Sequence, residues 1–250
     1  MAKQITLYTA KICPYAQRVE IALKEAKAEY TSCQIDLQNK PVWFAPKINP
    51  ASKVPAITYG GPTVSPEEPS DEAIRLAESL VLVEFVADLF PESGILSSDP
   101  VERAQSRFFI EVFTTRFAPA HVGFFLRGEP FEGVLKGIEA LQALLPPEEK
   151  SKFAVGNRFS VADIAVAPFI ARLQTALTND LGLFEAGEGK KLWDWVQSDP
   201  KFERFRKYSE AILERESFKT TYDPEYITKA YGQRFALFKA QRSAASASAQ

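Results

Sequence analysis

Residues 4–10, QITLYTA, alternate apolar and polar positions and are rich in β-formers, which predicts a strand. In PYAQRVEIALKEAKA, from residue 14, Val19, Ala22, Leu23 and Ala26 share one helical face. Pro14 suits the first helical position, where its missing N–H is not needed. EYTSCQIDL (29–37) reads as a second strand, and KPVWFAPKINPAS (40–52) as a short helix or an irregular connection. VPAITY (54–59) and AIRLAE (73–78) read as short strands. Between them GGPTVSPEEPSD is a Gly/Pro/Ser-rich loop expected to be mobile. ESLVLVEFVADLF (78–90) closes this part as a helix. The order is β-α-β, then β-β-α.

PESGILSSDP (91–100) has turn residues at both ends and reads as a linker. The pattern beyond it is helical. Phe109, Phe113 and Phe117 recur every fourth residue, FEGVLKGIEALQALL is amphipathic, and SVADIAVAPFIARLQTAL is apolar on nearly every side, as a central buried helix is. KKLWDWVQSD, PKFERFRKYSEAILE and PEYITKAYGQRFALFKAQR complete an α-bundle, and no internal repeat is visible. The final SAASASAQ (243–250) is low in complexity and is expected to be a disordered tail. The pattern predicts four parts. They are a small α/β unit over 1–91, a linker over 92–100, an all-helical unit over 101–242, and the tail.

Composition narrows the function without choosing it. Of 250 residues, 46% are hydrophobic and 25% charged, with a net charge of -2. That is ordinary for a soluble globular chain and lacks the basic surplus of a nucleic-acid reader. The N-terminus shows no secretory h-region, and the longest apolar stretch, SLVLVEFVADLF, is broken by Glu84 and Asp88. The expected address is the cytosol, with no membrane partner. Two cysteines and one histidine lie far apart, without metal-ligand spacing, so no metal site is expected. His121, in an apolar helical stretch, reads as structural.

Four short motifs carry chemistry. Cys13 directly precedes the predicted helix start, where the dipole and unpaired N–H groups favour a thiolate; it can equally be a small buried filler. Ala16 stands where a C-x-x-C pair would need its second cysteine, so a redox cycle requires an external thiol. Val54-Pro55 opens a strand. A cis bond there would offer the Val54 backbone to an extended peptide, although a trans proline is the commoner case. Ser79 can serve as a plain N-cap or, with Glu78 beside it, can hold the carboxylate and ammonium of an amino-acid head. Lys40 and Lys53 can each meet a further carboxylate.

CPYAQR, NKPVWF, NP-x-x-KVPAI and ES before an apolar helix, in that order, resemble a cytosolic glutathione transferase of the omega class, in particular its fungal omega-like members. FSVADIAVAPF resembles that family's N-capping box, with Ser160 and Asp163 at capping-box spacing. The resemblance covers roughly residues 3–240; the long loop between the hairpin strands departs from it. It implies a thioredoxin-like N-terminal domain plus an all-α C-terminal domain, glutathione as co-substrate, a homodimer and a role in detoxification. By this resemblance Cys13 is catalytic, Val54 with Pro55 clamps the cysteinyl part, and Glu78 and Ser79 hold the γ-glutamyl head. Lys40 meets the glycyl carboxylate, with Lys53 beside it.

A cysteine in that place implies thioltransferase and dehydroascorbate-reductase chemistry, with deglutathionylation through a mixed disulfide, rather than conjugation. An apolar second-substrate site is expected where the two domains meet. Its lining candidates are Tyr15, Phe113, Phe117, Phe124, Phe169 and Tyr222, although a helical Phe stripe is also what a core looks like. Two other readings remain: a carrier of aromatic compounds using the same sites, and a fold kept for protein interaction alone.

Overall fold

The computed structural model describes residues 3–248. The chain divides into two compact units. The first runs to Ser98 and takes in Glu216–Tyr222; the second holds Asp99–Arg215 and the chain from Asp223 onward.

The first unit is built on strands β1 (Ile5–Thr9), β2 (Thr31–Gln34), β3 (Ala56–Tyr59) and β4 (Ile74–Ala77) in the spatial order β2-β1-β3-β4. β1 runs parallel to β2 and antiparallel to β3, and β3 is antiparallel to β4; Leu7 lies opposite both Ser32 and Ile57. Every residue of β1 is buried, as a central strand covered on both faces must be. Side chains alternate along it. Thr9 points toward α1 (Pro14–Glu25), where its hydroxyl donates to Glu20 (2.6 Å). α1 packs against α3 (Ser79–Leu89), with Val19, Ala22 and Leu23 buried on one helix and Leu82, Val83 and Val86 buried on the other. On the opposite face Tyr8 joins Ile35, Phe44, Ile48 and Ala56 in a cluster that includes α2 (Phe44–Lys47). Burying a side chain such as Phe44 stabilises the fold by about 2 kcal/mol.

The loop after β3 lies over that same face. The Tyr8 hydroxyl donates to the Pro66 carbonyl (2.6 Å), and a cavity of about 10 Å³ separates Thr6, Tyr8 and Thr58 from Val64–Pro66. Exposed ion pairs Lys47–Glu68 and Arg75–Asp71, both 3.7 Å, add little.

The second unit begins at α4 (Pro100–Val112), capped by the Asp99 carboxylate, which accepts from Val101 N (2.9 Å). Two widened turns, Phe113–Phe117 and Gly123–Arg127, flank α5 (Ala118–Val122). Pro119 has no N–H for the regular ladder, and a wide turn before it accommodates its ring. In α6 (Glu132–Gln142), a Cβ on Gly137 would stand 2.9 Å from the Phe117 Cα, so only glycine allows this approach. α7 (Val161–Thr178) is buried along nearly its whole length, with α8 (Glu188–Ser198) and α9 (Glu203–Leu213) packed against it. By length and composition α7 could cross a bilayer; here it is the core helix of its unit.

Two boundaries differ from the sequence pattern. α10 (Glu216–Lys219) lies against α1 in the first unit: Ser217 donates to Glu25, and Gln17 Nε2 to Thr221 Oγ1 (3.4 Å). Helical periodicity alone does not tell which sheet or bundle covers Phe218. The second difference is α11 (Pro224–Ser248), which continues through most of the expected disordered tail. Alanine is the strongest helix former, and an existing helix extends into SAASAS without a new nucleus. Residues 249–250 of that expected tail lie outside the described residues.

Candidate active site

Cys13 is the residue before α1, with extended backbone (φ -83°, ψ 116°) and Pro14 at the first helical position. Its N–H donates to the Ala10 carbonyl (2.8 Å) and its carbonyl accepts from Gln17 N (3.1 Å), which locks the helix entry. No acidic residue occupies the first turn, so nothing there opposes the positive end of the dipole. The half-buried thiol lies with Sγ 3.9 Å from the Val54 carbonyl oxygen.

Val54 is held by a turn organised around Asn49. The Asn49 amide donates to the Lys53 carbonyl (2.8 Å), its side-chain oxygen accepts from Ala51 N (3.1 Å), and its carbonyl accepts from Ser52 N (2.7 Å). The Val54-Pro55 bond is cis. Lys40 Nζ donates to the Ser52 carbonyl (2.6 Å), which draws that ammonium to the same turn.

Glu78 stands just before α3 at φ +73°, a conformation that costs a non-glycine residue about 1–3 kcal/mol and concentrates at functional sites. Ser79 is therefore the first helical residue rather than the cap, and its hydroxyl accepts from Arg18 NH1 (3.1 Å) instead of from the helix backbone.

These groups meet. A cavity of about 480 Å³ in the first unit is lined by Cys13, Lys40, Lys53, Val54, Pro55, Glu78 and Ser79, with Tyr15 at its side. A thiol, a presented strand edge, two ammonium groups and a carboxylate beside a hydroxyl suit an extended peptide with a sulfur in its middle and charges at both ends. The long loop after β3 contributes nothing to this lining.

The aromatic candidates divide. Tyr15 lies in the cavity, 47% exposed, with the Arg18 guanidinium 5.2 Å from its ring centre. Tyr222 is half-buried on Phe218, 5.2 Å between rings, in the segment that joins the first unit. Phe113, Phe117, Phe124 and Phe169 correct the sequence expectation. They are at most 5% exposed and pack on other rings inside the helical unit: Phe113 on Phe117 (5.5 Å) and Phe169 (5.0 Å), Phe124 on Phe184 (4.3 Å). Four-residue spacing marks a helix's inward face, and here that face is core. His121 sits between Phe117 and Phe125, and desolvation lowers its imidazole to about 4, so it is neutral at pH 7. Among the described residues no cluster of His, Cys, Asp and Glu could hold a metal ion.

Asn49, which lines the cavity, and Arg18, which lies behind it against Ser79 and Tyr15, are residues that sequence reasoning passed over. Asn49 carried a signal as an Asn-Pro turn initiator. Arg18 interrupts the face that holds Val19 and Leu23, an unusual place for a cation.

Residues 7–94 match the family model for the glutathione S-transferase N-terminal domain and residues 129–211 that for the C-terminal domain. The first match contains every residue lining the cavity. The chain is 60% identical to glutathione transferase Omega 1C from Trametes versicolor, with a TM-score of 0.90 over 94% of this chain and 97% of that one. The chain belongs to the glutathione S-transferase family, in its omega class. The transferase is also 42% identical to Omega 2S from the same fungus, solved in complex with 2,4-dihydroxybenzophenone (TM-score 0.87, covering 93% and 100% of the two chains). Glutathione S-transferase omega-1 of Rattus norvegicus is 27% identical over 79% of this chain and 78% of its own length. The transferase thus uses glutathione as co-substrate on a thioredoxin-like domain, as the first unit's mixed sheet already indicated.

Cys33 lies apart, on β2 against the Tyr8 cluster, where burial and then Glu67 raise its thiol above the ordinary value. Cys33→Ser should therefore leave thiol-transfer activity within a few-fold of wild type. A limiting amount of iodoacetamide should label Cys13 well before Cys33, read by peptide mass; preferential labelling of Cys33 contradicts the assignment.

Proposed function

We propose that this transferase carries out glutathione-dependent thiol transfer and reduction, with Cys13 as nucleophile. The observation that carries the reading is a cysteine, rather than a hydroxyl residue, at the start of α1, facing the Val54 carbonyl in the cavity that also holds Glu78 and Ser79. The Cys13 thiolate attacks the glutathionyl sulfur of a mixed disulfide; a Cys13–glutathione S–S bond forms, the substrate's S–S bond breaks, and the substrate leaves as a thiolate that takes up a proton. A second glutathione thiolate then attacks the glutathionyl sulfur on Cys13, releasing oxidised glutathione and restoring the enzyme thiolate. No second cysteine of the chain lines the cavity, so both electrons come from glutathione.

Glutathione is held in this reading by backbone pairing at Val54 beside Pro55, by Glu78 and Ser79 on its γ-glutamyl head, and by Lys40 with Lys53 on the glycyl carboxylate. A carrier role for aromatic compounds is the second reading, favoured by the benzophenone complex of the 42%-identical relative. Turnover of a glutathionyl-ketone or mixed-disulfide substrate, set beside displacement of a bound dye by 2,4-dihydroxybenzophenone, separates the two. Thiol-transfer turnover supports the enzyme; tight ligand binding without turnover supports the carrier. We place the protein in the cytosol as a homodimer, as is typical of this family. Equilibrium sedimentation at micromolar concentration should return twice the chain mass, and a monomer throughout contradicts the dimer.

A further inference from the structure

We propose that Arg18 is a positioning residue for this site: its buried guanidinium fixes the Ser79 hydroxyl at the start of α3 and lends Cys13 positive charge from inside the protein. The proposal rests on the reading of Cys13 as the nucleophile.

Arg18 is 3% exposed, although arginine almost never loses its water without a specific interaction. Its NH1 donates to Ser79 Oγ at 3.1 Å, and its guanidinium lies 5.2 Å from the centre of the Tyr15 ring. Cys13, Tyr15 and Ser79 all line the 480 Å³ cavity, so the cation sits behind its wall and touches two of the groups that form it. It stands five residues after Cys13, in the helix whose start Cys13 forms.

Burial lowers Arg18 to about 10, while Tyr15 and Cys13 pull in the other direction, so it stays protonated at neutral pH. Because Arg18 touches the cavity wall at Ser79 and Tyr15, and Cys13 lines the same cavity, its positive charge favours a thiolate there. The charged groups that line the cavity are Lys40, Lys53 and Glu78, all exposed, whose fields water screens. Of the α1 carboxylates, Glu20 accepts from the Thr9 hydroxyl and Glu25 from Ser217. Arg18 is the buried cation of the set. A planar fork with several donors can serve Ser79 along one edge while its charge stands behind the cavity wall; a lysine ammonium supplies the charge without the fork.

The test compares Arg18→Met and Arg18→Lys with wild type. It uses the pH dependence of Cys13 alkylation by iodoacetamide, glutathione affinity by calorimetry, and folding by circular dichroism. For Arg18→Met the alkylation profile should move up by about one pH unit, with a rate near pH 7 about tenfold lower and rates that converge at high pH. Arg18→Lys should restore the wild-type profile and yet bind glutathione several-fold more weakly, because Ser79 has lost its fork. A purely structural role would not yield this split between charge and shape. A folded Arg18→Met with the wild-type profile overturns the proposal. If Arg18→Met does not fold, Arg18→Lys decides: a profile displaced despite the retained charge, or unchanged glutathione affinity, overturns it. A wild-type profile like that of an unperturbed thiol, with a pKa of about 8.5, overturns the nucleophile reading, and this proposal with it.

Discussion

Cys13→Ser will lower deglutathionylation and disulfide reduction by about a thousandfold or more, because the covalent intermediate cannot form without the sulfur. Serine keeps the extended backbone before α1 and is a good residue at a helix start, so the fold should persist. Glutathione affinity should change little, since Val54, Glu78 and Ser79 make most of the proposed contacts. The serine hydroxyl can donate a hydrogen bond to the thiolate of bound glutathione. Conjugation to an aryl halide, expected to be weak in the wild type, should therefore appear or rise. The comparison needs three assays on one preparation: mixed-disulfide reduction, aryl-halide conjugation and glutathione binding. Full retention of mixed-disulfide reduction would mean that Cys13 is only filler, and the carrier reading would gain.

The largest effect on stability falls on Asp163. Its buried carboxylate accepts from Ala154 N (2.9 Å), Ser160 N (2.9 Å) and Ser160 Oγ (3.1 Å), and Ser160 Oγ in turn accepts from Ala162 N (3.3 Å). The two residues form a complete capping box at the entry to α7, the core helix of its unit. Asp163→Ala leaves buried donors without an acceptor and should cost about 3 kcal/mol or more, lowering the melting temperature by roughly 6–12 °C. The deficit should vary with pH. Burial raises the Asp163 carboxyl to about 6, above its unfolded value of 3.8, against the lowering effect of its N–H donors. The folded chain therefore binds this proton more tightly, and the associated stability is present in acid and is lost as pH rises through about 6. Thermal melts of wild type and variant should differ more at pH 5 than at pH 8. A gap that widens with rising pH contradicts the account.

The central strand and the start of α1 after Cys13 were legible in the sequence because local rules agree there: alternation for β1, a one-sided apolar face for α1, and proline where helices tolerate it. The four motifs were legible as candidates for the same reason, each a short run with its own backbone requirement. What stayed hidden depends on contacts between distant segments. Nothing in glutamate's own preferences announces φ +73° at Glu78; the surrounding fold imposes it. The burial of Arg18 follows from α3 lying beside α1, which no local pattern encodes. The phenylalanine stripe reported correctly which side of the helix is apolar, but an apolar side looks the same whether it meets ligand or core. The SAASAS stretch was read by complexity, although its alanines follow an existing helix and extend it.

The most direct test of Cys13 as nucleophile is incubation with oxidised glutathione, followed by intact mass and peptide mapping. The account predicts one glutathionyl group per chain, located on Cys13, removed by reductant and not formed in Cys13→Ser. No adduct, or an adduct on Cys33 with Cys13 free, would contradict it.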